Sequence, residues 1–164
     1  MSSAVSRVPA ASSADTLAHF EALLQFETDC WDVHHAITNE RQDFVLLDVR
    51  GEALYAEGHV PCAISLPLSR LNEKTLADYP MDTLFVVYCA GPHCNGTEKA
   101  AIRLAKLGRP VKKMIGGVTG WLDEGFTLVT EYFASTLQHM DATKISGRLC
   151  KRSLVFLFCQ QNFF

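Results

Sequence analysis

The stretch VVYCAGPHCNGT, residues 86–97, carries two cysteines, Cys89 and Cys94, where sulfur chemistry is favoured. Cys89 ends an apolar run. Cys94 follows among Gly91, Pro92, His93, Asn95 and Gly96. A cysteine works as a nucleophile only as its thiolate, so its surroundings must favour negative charge. In a parallel α/β sheet the carboxyl ends of the strands face the ligand space. A helix that starts near Asn95 or Gly96 adds its free N–H groups to that space. Gly91 and Gly96 allow the backbone to curl, and Pro92 stiffens the turn. Residues Ala90, Gly91, Pro92, His93, Cys94, Asn95, Gly96 and Thr97 are therefore the expected anion cradle around a nucleophilic Cys89. The plainer reading is that a strand-terminal cysteine serves as a small core hydrophobe.

The elements that must position this loop are legible as runs. DFVLLDV (43–49), CAISLPL (62–68), LFVVYC (84–89) and VKKMI (111–115) are continuous apolar or near-apolar segments, as strands buried on both faces are. DTLAHFEALLQF (15–26) shows helical spacing at Leu17, Phe20, Leu23 and Leu24, with Asp15 as its cap. A short strand is expected around Phe26–Thr28, then a helix capped by Asp29 with Trp31, Val33 or His34, and Ile37 inward. NGTEKAAIRLAKLG predicts a helix with Ala100, Ala101, Leu104, Ala105 and Leu107 inward and Asn95 and Glu98 as a capping pair. Gly108 stops it and Pro110 prevents its return. A last helix, Val118–Glu124, is expected to turn Trp121 and Leu122 inward. Strands alternating with helices imply βαβ units and a parallel sheet.

The chain has 164 residues, 48% apolar and 20% charged, with a net charge of −3. One globular domain is the default. No basic block appears, so nucleic acid is a poor partner. No run reaches the roughly 18 apolar residues of a membrane span. The leader MSSAVSRVPAASSADTLAHF has no apolar signal core, which predicts a cytoplasmic protein whose six cysteines are thiols. Residues 1–14 read as a disordered leader and 15–133 as the folded domain. Residues 134–164, with SGRLCKRSLVFLFCQQNFF, form a C-terminal extension of undetermined structure that holds Cys150 and Cys159.

Residues 43–126 resemble a rhodanese domain. LLDVRGEALYAEGHVPCAISLPLSRL is similar to that family's Asp-x-Arg, Gly-His-x-Pro-Gly-Ala and Asn/Ser-x-Pro progression. VVYC with its loop and Ala-rich helix is similar to the active-site strand, and MIGGVTGW to the closing Gly-Gly-x-x-x-Trp. The resemblance implies an α/β three-layer sandwich: a central, mostly parallel sheet of four or five strands with helices on both faces. It implies a sulfurtransferase in which Cys89 accepts a sulfur atom as a persulfide, with no metal or organic cofactor. The donor would be thiosulfate or a similar small anion, and the acceptor cyanide, a thiol or a protein cysteine. Oligomeric state stays open.

The chain departs from the family pattern in three ways. Cys62 replaces the usual Gly, the loop after Cys89 is about two residues longer, and the loop has no basic residue. Positive charge must then come from backbone dipoles, His93, Lys99 or Arg103, with Glu98 acting the other way. Asp48 and Arg50 are expected to pair with each other or with loop backbone and to support the edge of the site. His59 reads as structural, and His34 and His35 as one inward and one outward residue.

Cys94 has three readings: a bystander, a second sulfur carrier, or a resolving cysteine that attacks a Cys89 persulfide and releases sulfide. Three other functions compete. A cysteine phosphatase or arsenate reductase needs Cys-x5-Arg, but Asn95 and Ala100 stand at the two arginine positions. A metal site from Cys89, His93 and Cys94 lacks a standard zinc spacing. A non-catalytic rhodanese-like binding or regulatory module is the main alternative.

Overall fold

The computed structural model describes residues 2–130, so the expected extension at 134–164 lies outside the described residues. Helix α1 (Ser13–Phe26) leads into strand β1 (Glu27–Thr28) and helix α2 (Cys30–Thr38). Then follow β2 (Val45–Asp48), α3 (Glu52–Glu57) and β3 (Ile64–Ser65). Two 3-10 turns, Leu68–Arg70 and Lys74–Leu76, lead to β4 (Phe85–Tyr88), α4 (Gly96–Lys106), β5 (Val111–Met114) and α5 (Gly117–Asp123).

All strand pairs are parallel, in the order β1-β5-β4-β2-β3. This is the expected α/β sheet. Strand β4 lies at its centre with all four residues buried. Alternation along β4 divides the core between the two faces. Val86 and Tyr88 join Leu46, Val33 and Trp121 on one side. Phe85 and Val87 join Leu47, Leu71, Leu76, Ala100 and Leu104 on the other. Each buried Val, Leu or Phe among them contributes about 1.5–3 kcal/mol by leaving water. The odd-even alternation sends Cys89 to the α4 side, against Ala100 and Leu104.

Several local expectations need correction. Ser12, not Asp15, caps α1: its hydroxyl accepts from the Asp15 amide at 3.1 Å and donates to the Asp15 carboxylate at 2.6 Å. Leu17, Phe20 and Leu24 of α1 are exposed. Asp29 does cap α2, but Cys30 and Val33 are the buried residues and Trp31 is exposed. His34 stacks on Phe126 while His35 is exposed, as expected. In α4 only Thr97, Ala100 and Leu104 are buried, and in α5 Trp121 is buried while Leu122 is exposed. Helix α4 does end at Lys106, with Gly108 at φ +70°. Strand β3 shrinks to two edge residues, and six-residue α3 is too short to leave a periodic signal.

The carboxyl ends of β2 and β4 are tied by one polar network. Asp48 is 0% exposed. Its carboxylate accepts from the Arg50 guanidinium at 2.6 and 2.9 Å, from the Arg50 amide at 3.0 Å and from the Tyr88 hydroxyl at 2.7 Å. Tyr88 accepts in turn from the Val60 amide, and Arg50 also donates to the Gly58 carbonyl. Burial, then the adjacent Asp48 carboxylate, pushes the Tyr88 hydroxyl far up, so it stays a donor. The network therefore fixes the β2–β3 crossover against the strand that carries Cys89. His59 has the expected structural role: it stacks on Tyr55, and its amide donates to the Val129 carbonyl.

Cys62, where the family pattern has glycine, sits at φ +63° in the left-handed region. A Cβ there costs about 1–2 kcal/mol. Two predictions follow from these local features. Cys62→Gly will be more stable than Cys62→Ala by about 1 kcal/mol, since both lose the sulfur and only glycine relieves the backbone; urea unfolding under reductant measures the difference, and equal midpoints would contradict it. Arg50→Met will lose about 3 kcal/mol by stranding a buried carboxylate, read from the same unfolding curves; an unchanged midpoint would contradict it.

Candidate active site

Cys89 follows the last residue of β4 and is 6% exposed. Its carbonyl accepts from the Val118 amide at 3.1 Å, and the Ala90 carbonyl accepts from the Thr119 amide at 2.9 Å and the Thr119 hydroxyl at 3.1 Å. The first turn of α5 thus holds the start of the loop. In a trans peptide the next N–H points opposite to the carbonyl. The amides of Ala90 and Gly91 are accordingly turned away from α5.

The loop then folds back on itself. The Gly91 carbonyl accepts from the Cys94 amide at 3.0 Å, which closes a turn over Pro92 and His93. Cys94 is brought to Cys89 with their Cα atoms 6.3 Å apart, and the two residues are joined as a disulfide. Helix α4 begins directly beneath them. A Cβ on Gly96, its first residue, would stand 2.9 Å from the Cys89 sulfur and 3.3 Å from the Cys94 sulfur. The sulfurs can rest at the helix N-terminus only because that residue has no side chain. The Asn95 side chain makes no capping bond, contrary to the expected Asn95–Glu98 pair. The Gly96 and Thr97 amides precede the first helical bond, Lys99 N to Asn95 O, so the sulfurs meet the positive end of α4.

Two further glycines allow the close approach. A Cβ on Gly117 would lie 2.4 Å from the Cys89 carbonyl oxygen, and Gly117 has φ +58°. A Cβ on Gly91 would lie 2.6 Å from the Thr119 hydroxyl. Between the loop and the turn 114–117 lies a cleft of about 210 Å³, lined by both cysteines, Gly91, Pro92, Thr97, Glu98 and Lys113 among others.

The expected cradle is therefore only partly the cleft wall. Gly91, Pro92, Cys94 and Thr97 line it, and Gly96 forms the seat of the sulfurs. Ala90, His93 and Asn95 are exposed outside it. Asp48 and Arg50 do not line it; they act through the Tyr88 network on the opposite face of β4. Arg103 does not serve the loop either, because it donates to the Leu68 and Leu71 carbonyls.

The cation at the cleft is Lys113, which the sequence reading missed. It lies on β5, beside β4, and bonds Glu27 and Glu98 at 3.0 Å each. Its hydrogen bond to Glu27, joined by that to Glu98, outweighs burial and raises its ammonium. Burial works to raise the Glu98 carboxyl, but its own amide, the Thr97 hydroxyl and Lys113 hold it below the usual range. The signal was the Lys-Lys pair within VKKMI: of two adjacent strand residues, one faces each side of the sheet. Cys30, behind the turn, donates to the Ile115 carbonyl at 3.4 Å. Burial, then Asp29 and Glu124, pushes its thiol up to about 11, so it is unreactive near neutrality.

Comparison with known proteins places this geometry in a family. The rhodanese-like domain matches residues 32–124, more than half of the chain. An HTH-type transcriptional regulator of Mycobacterium tuberculosis is 36% identical over 93 residues, which cover 52% of this chain and 40% of the regulator. A sulfurtransferase of Allochromatium vinosum is 28% identical over 90 residues, covering 55% of this chain and 82% of that protein. A solved Bacillus halodurans protein superposes with a TM-score of 0.70 at 34% identity, covering 73% of this chain and 87% of its own. The chain spans less than half the length of the regulator. Among the described residues no helix is long and apolar enough to cross a membrane. With its parallel sheet, its strand-terminal cysteine loop and this match, the chain belongs to the rhodanese-like domain family.

Proposed function

We propose that the chain is a sulfurtransferase in which Cys89 carries the transferred sulfur. The observation that carries this reading is the seat of the Cys89 sulfur on Gly96, at the N-terminus of α4 and inside the cleft. A helix N-terminus stabilises an adjacent anion by about 0.3–1 kcal/mol at an exposed site and more when partly buried. That favours the thiolate over the thiol. The Cys89 thiolate attacks the outer sulfur of thiosulfate. The S–S bond of the donor breaks, sulfite leaves with the bonding pair, and a Cys89 persulfide remains. Its terminal sulfur then passes to an acceptor thiolate, and the Cys89 thiolate is restored.

Such a donor is a dianion, and the cleft is small and lined by polar and apolar groups alike. Lys113 supplies a cation in its lining, moderated by Glu27 and Glu98. The backbone holds the negative sulfur without reorganisation, because the α5 bonds and the Gly91–Cys94 turn fix the loop in advance. The name of the Allochromatium relative agrees with this reading.

A second reading, a regulatory rhodanese-like module, is favoured by one observation: the likeness to a transcriptional regulator. Only the first reading requires turnover.

The test begins with reduced protein and thiosulfate, followed by intact mass. The expected product is one sulfur atom gained by Cys94→Ser and none gained by Cys89→Ser. A sulfur atom gained by Cys89→Ser, with none gained by Cys94→Ser, would contradict the assignment. Charge at the rim gives a second prediction. Glu98→Gln will lower the KM for thiosulfate severalfold and move Cys89 alkylation to lower pH, and Lys113→Gln will do the reverse. Steady-state sulfite release and iodoacetamide kinetics measure the two effects.

A further inference from the structure

The two loop cysteines form one unit, and this bears on how a sulfur would leave. Their Cα separation of 6.3 Å lies within the span a disulfide bridges. The folded chain holds them joined, with the Gly91–Cys94 turn folding the second cysteine over the first. Gly96 presents a single surface to both sulfurs. Cys94 also lines the cleft in which a donor would have reacted. The thiol of Cys30, by contrast, is buried and tied to the Ile115 carbonyl.

We propose that Cys94 is a second catalytic cysteine that resolves the Cys89 persulfide and so makes the chain release sulfide. This rests on the reading of Cys89 as the sulfur acceptor. The Cys94 thiolate attacks the Cys89 sulfur. The bond to the terminal sulfur breaks, that sulfur leaves with the electron pair and takes a proton as hydrosulfide, and the Cys89–Cys94 disulfide closes. The two thiols are oxidised by two electrons, and the sulfane sulfur accepts them. No outside oxidant is needed.

The cycle then needs a dithiol reductant, which is the partner this chemistry calls for. Cys94 is half-buried and Cys89 is almost fully covered, so an incoming thiolate reaches the Cys94 sulfur first. Attack there expels Cys89 as a thiolate, which the helix N-terminus stabilises. A mixed disulfide on Cys94 follows, and the second thiol of the reductant clears it. The net reaction converts thiosulfate and a dithiol to sulfite, hydrogen sulfide and the oxidised dithiol.

The decisive experiment mixes the reduced, desalted chain anaerobically with thiosulfate and no acceptor. Hydrosulfide is trapped and the protein is weighed. The parent chain is expected to release one hydrosulfide per molecule and to lose two hydrogens without keeping sulfur. Cys94→Ser and Cys94→Ala are expected to keep the sulfur on Cys89 and release none. Retention of the persulfide by the parent chain, with no hydrosulfide, would overturn the resolving role and leave Cys89 as acceptor. Absence of sulfur from both Cys94 variants, with folding confirmed by circular dichroism, would overturn both readings.

Discussion

The carbonyls of Cys89 and Ala90 are held by the first turn of α5, through Val118 and Thr119. This anchorage is the constraint on which the site depends. It fixes the peptide planes that leave β4, and with them the direction of the loop. It demands glycine at 117, because any Cβ there would press on the Cys89 carbonyl. It also brings Thr119 against Gly91, so a second glycine is required where the loop passes over α5. What resembles a permissive Gly-rich loop is a tightly held one.

The same constraint delivers the sulfur to α4. Cys89 emerges on the face of the sheet that packs Ala100 and Leu104, and α4 begins where the returning loop ends. Because Gly96 has no side chain and Asn95 does not cap, the helix N-terminus is open to the sulfurs. A conventional cap would stabilise the helix by about 1 kcal/mol and occupy the same amides. Helix α4 lacks that bond at the end where the proposed Cys89 thiolate would rest. On the opposite face, the Asp48–Arg50–Tyr88 network keeps β2 and β4 in register, Asp48 beside Tyr88, without approaching the cleft.

Much of this was legible in residue order. The buried run before Cys89, the stop at Gly108 and the alternation of strands with helices specify the sheet, because each depends on local pattern alone. The seat at Gly96 was legible as loop permissiveness but not as contact with both sulfurs, which needs the loop's return path. Lys113 was hidden for a different reason. Which lysine of β5 faces the cleft depends on β5 lying between β1 and β4, a non-local fact. Arg103 misled for the same reason: from the helix it could reach two ways, and the Leu68 and Leu71 carbonyls lie on one of them. Cys62 departs from the family's glycine, and only its positive φ shows what the departure costs.

The proposed sulfur acceptance and the proposed sulfide release both depend on an ionised Cys89 at the amide end of α4. The direct measurement is the pH dependence of alkylation of Cys89 in the fully reduced chain, with Cys94 replaced by serine so that one loop thiol reports. The account predicts a midpoint clearly below the value of about 8.5 for an unperturbed thiol. A midpoint at or above that value would contradict it.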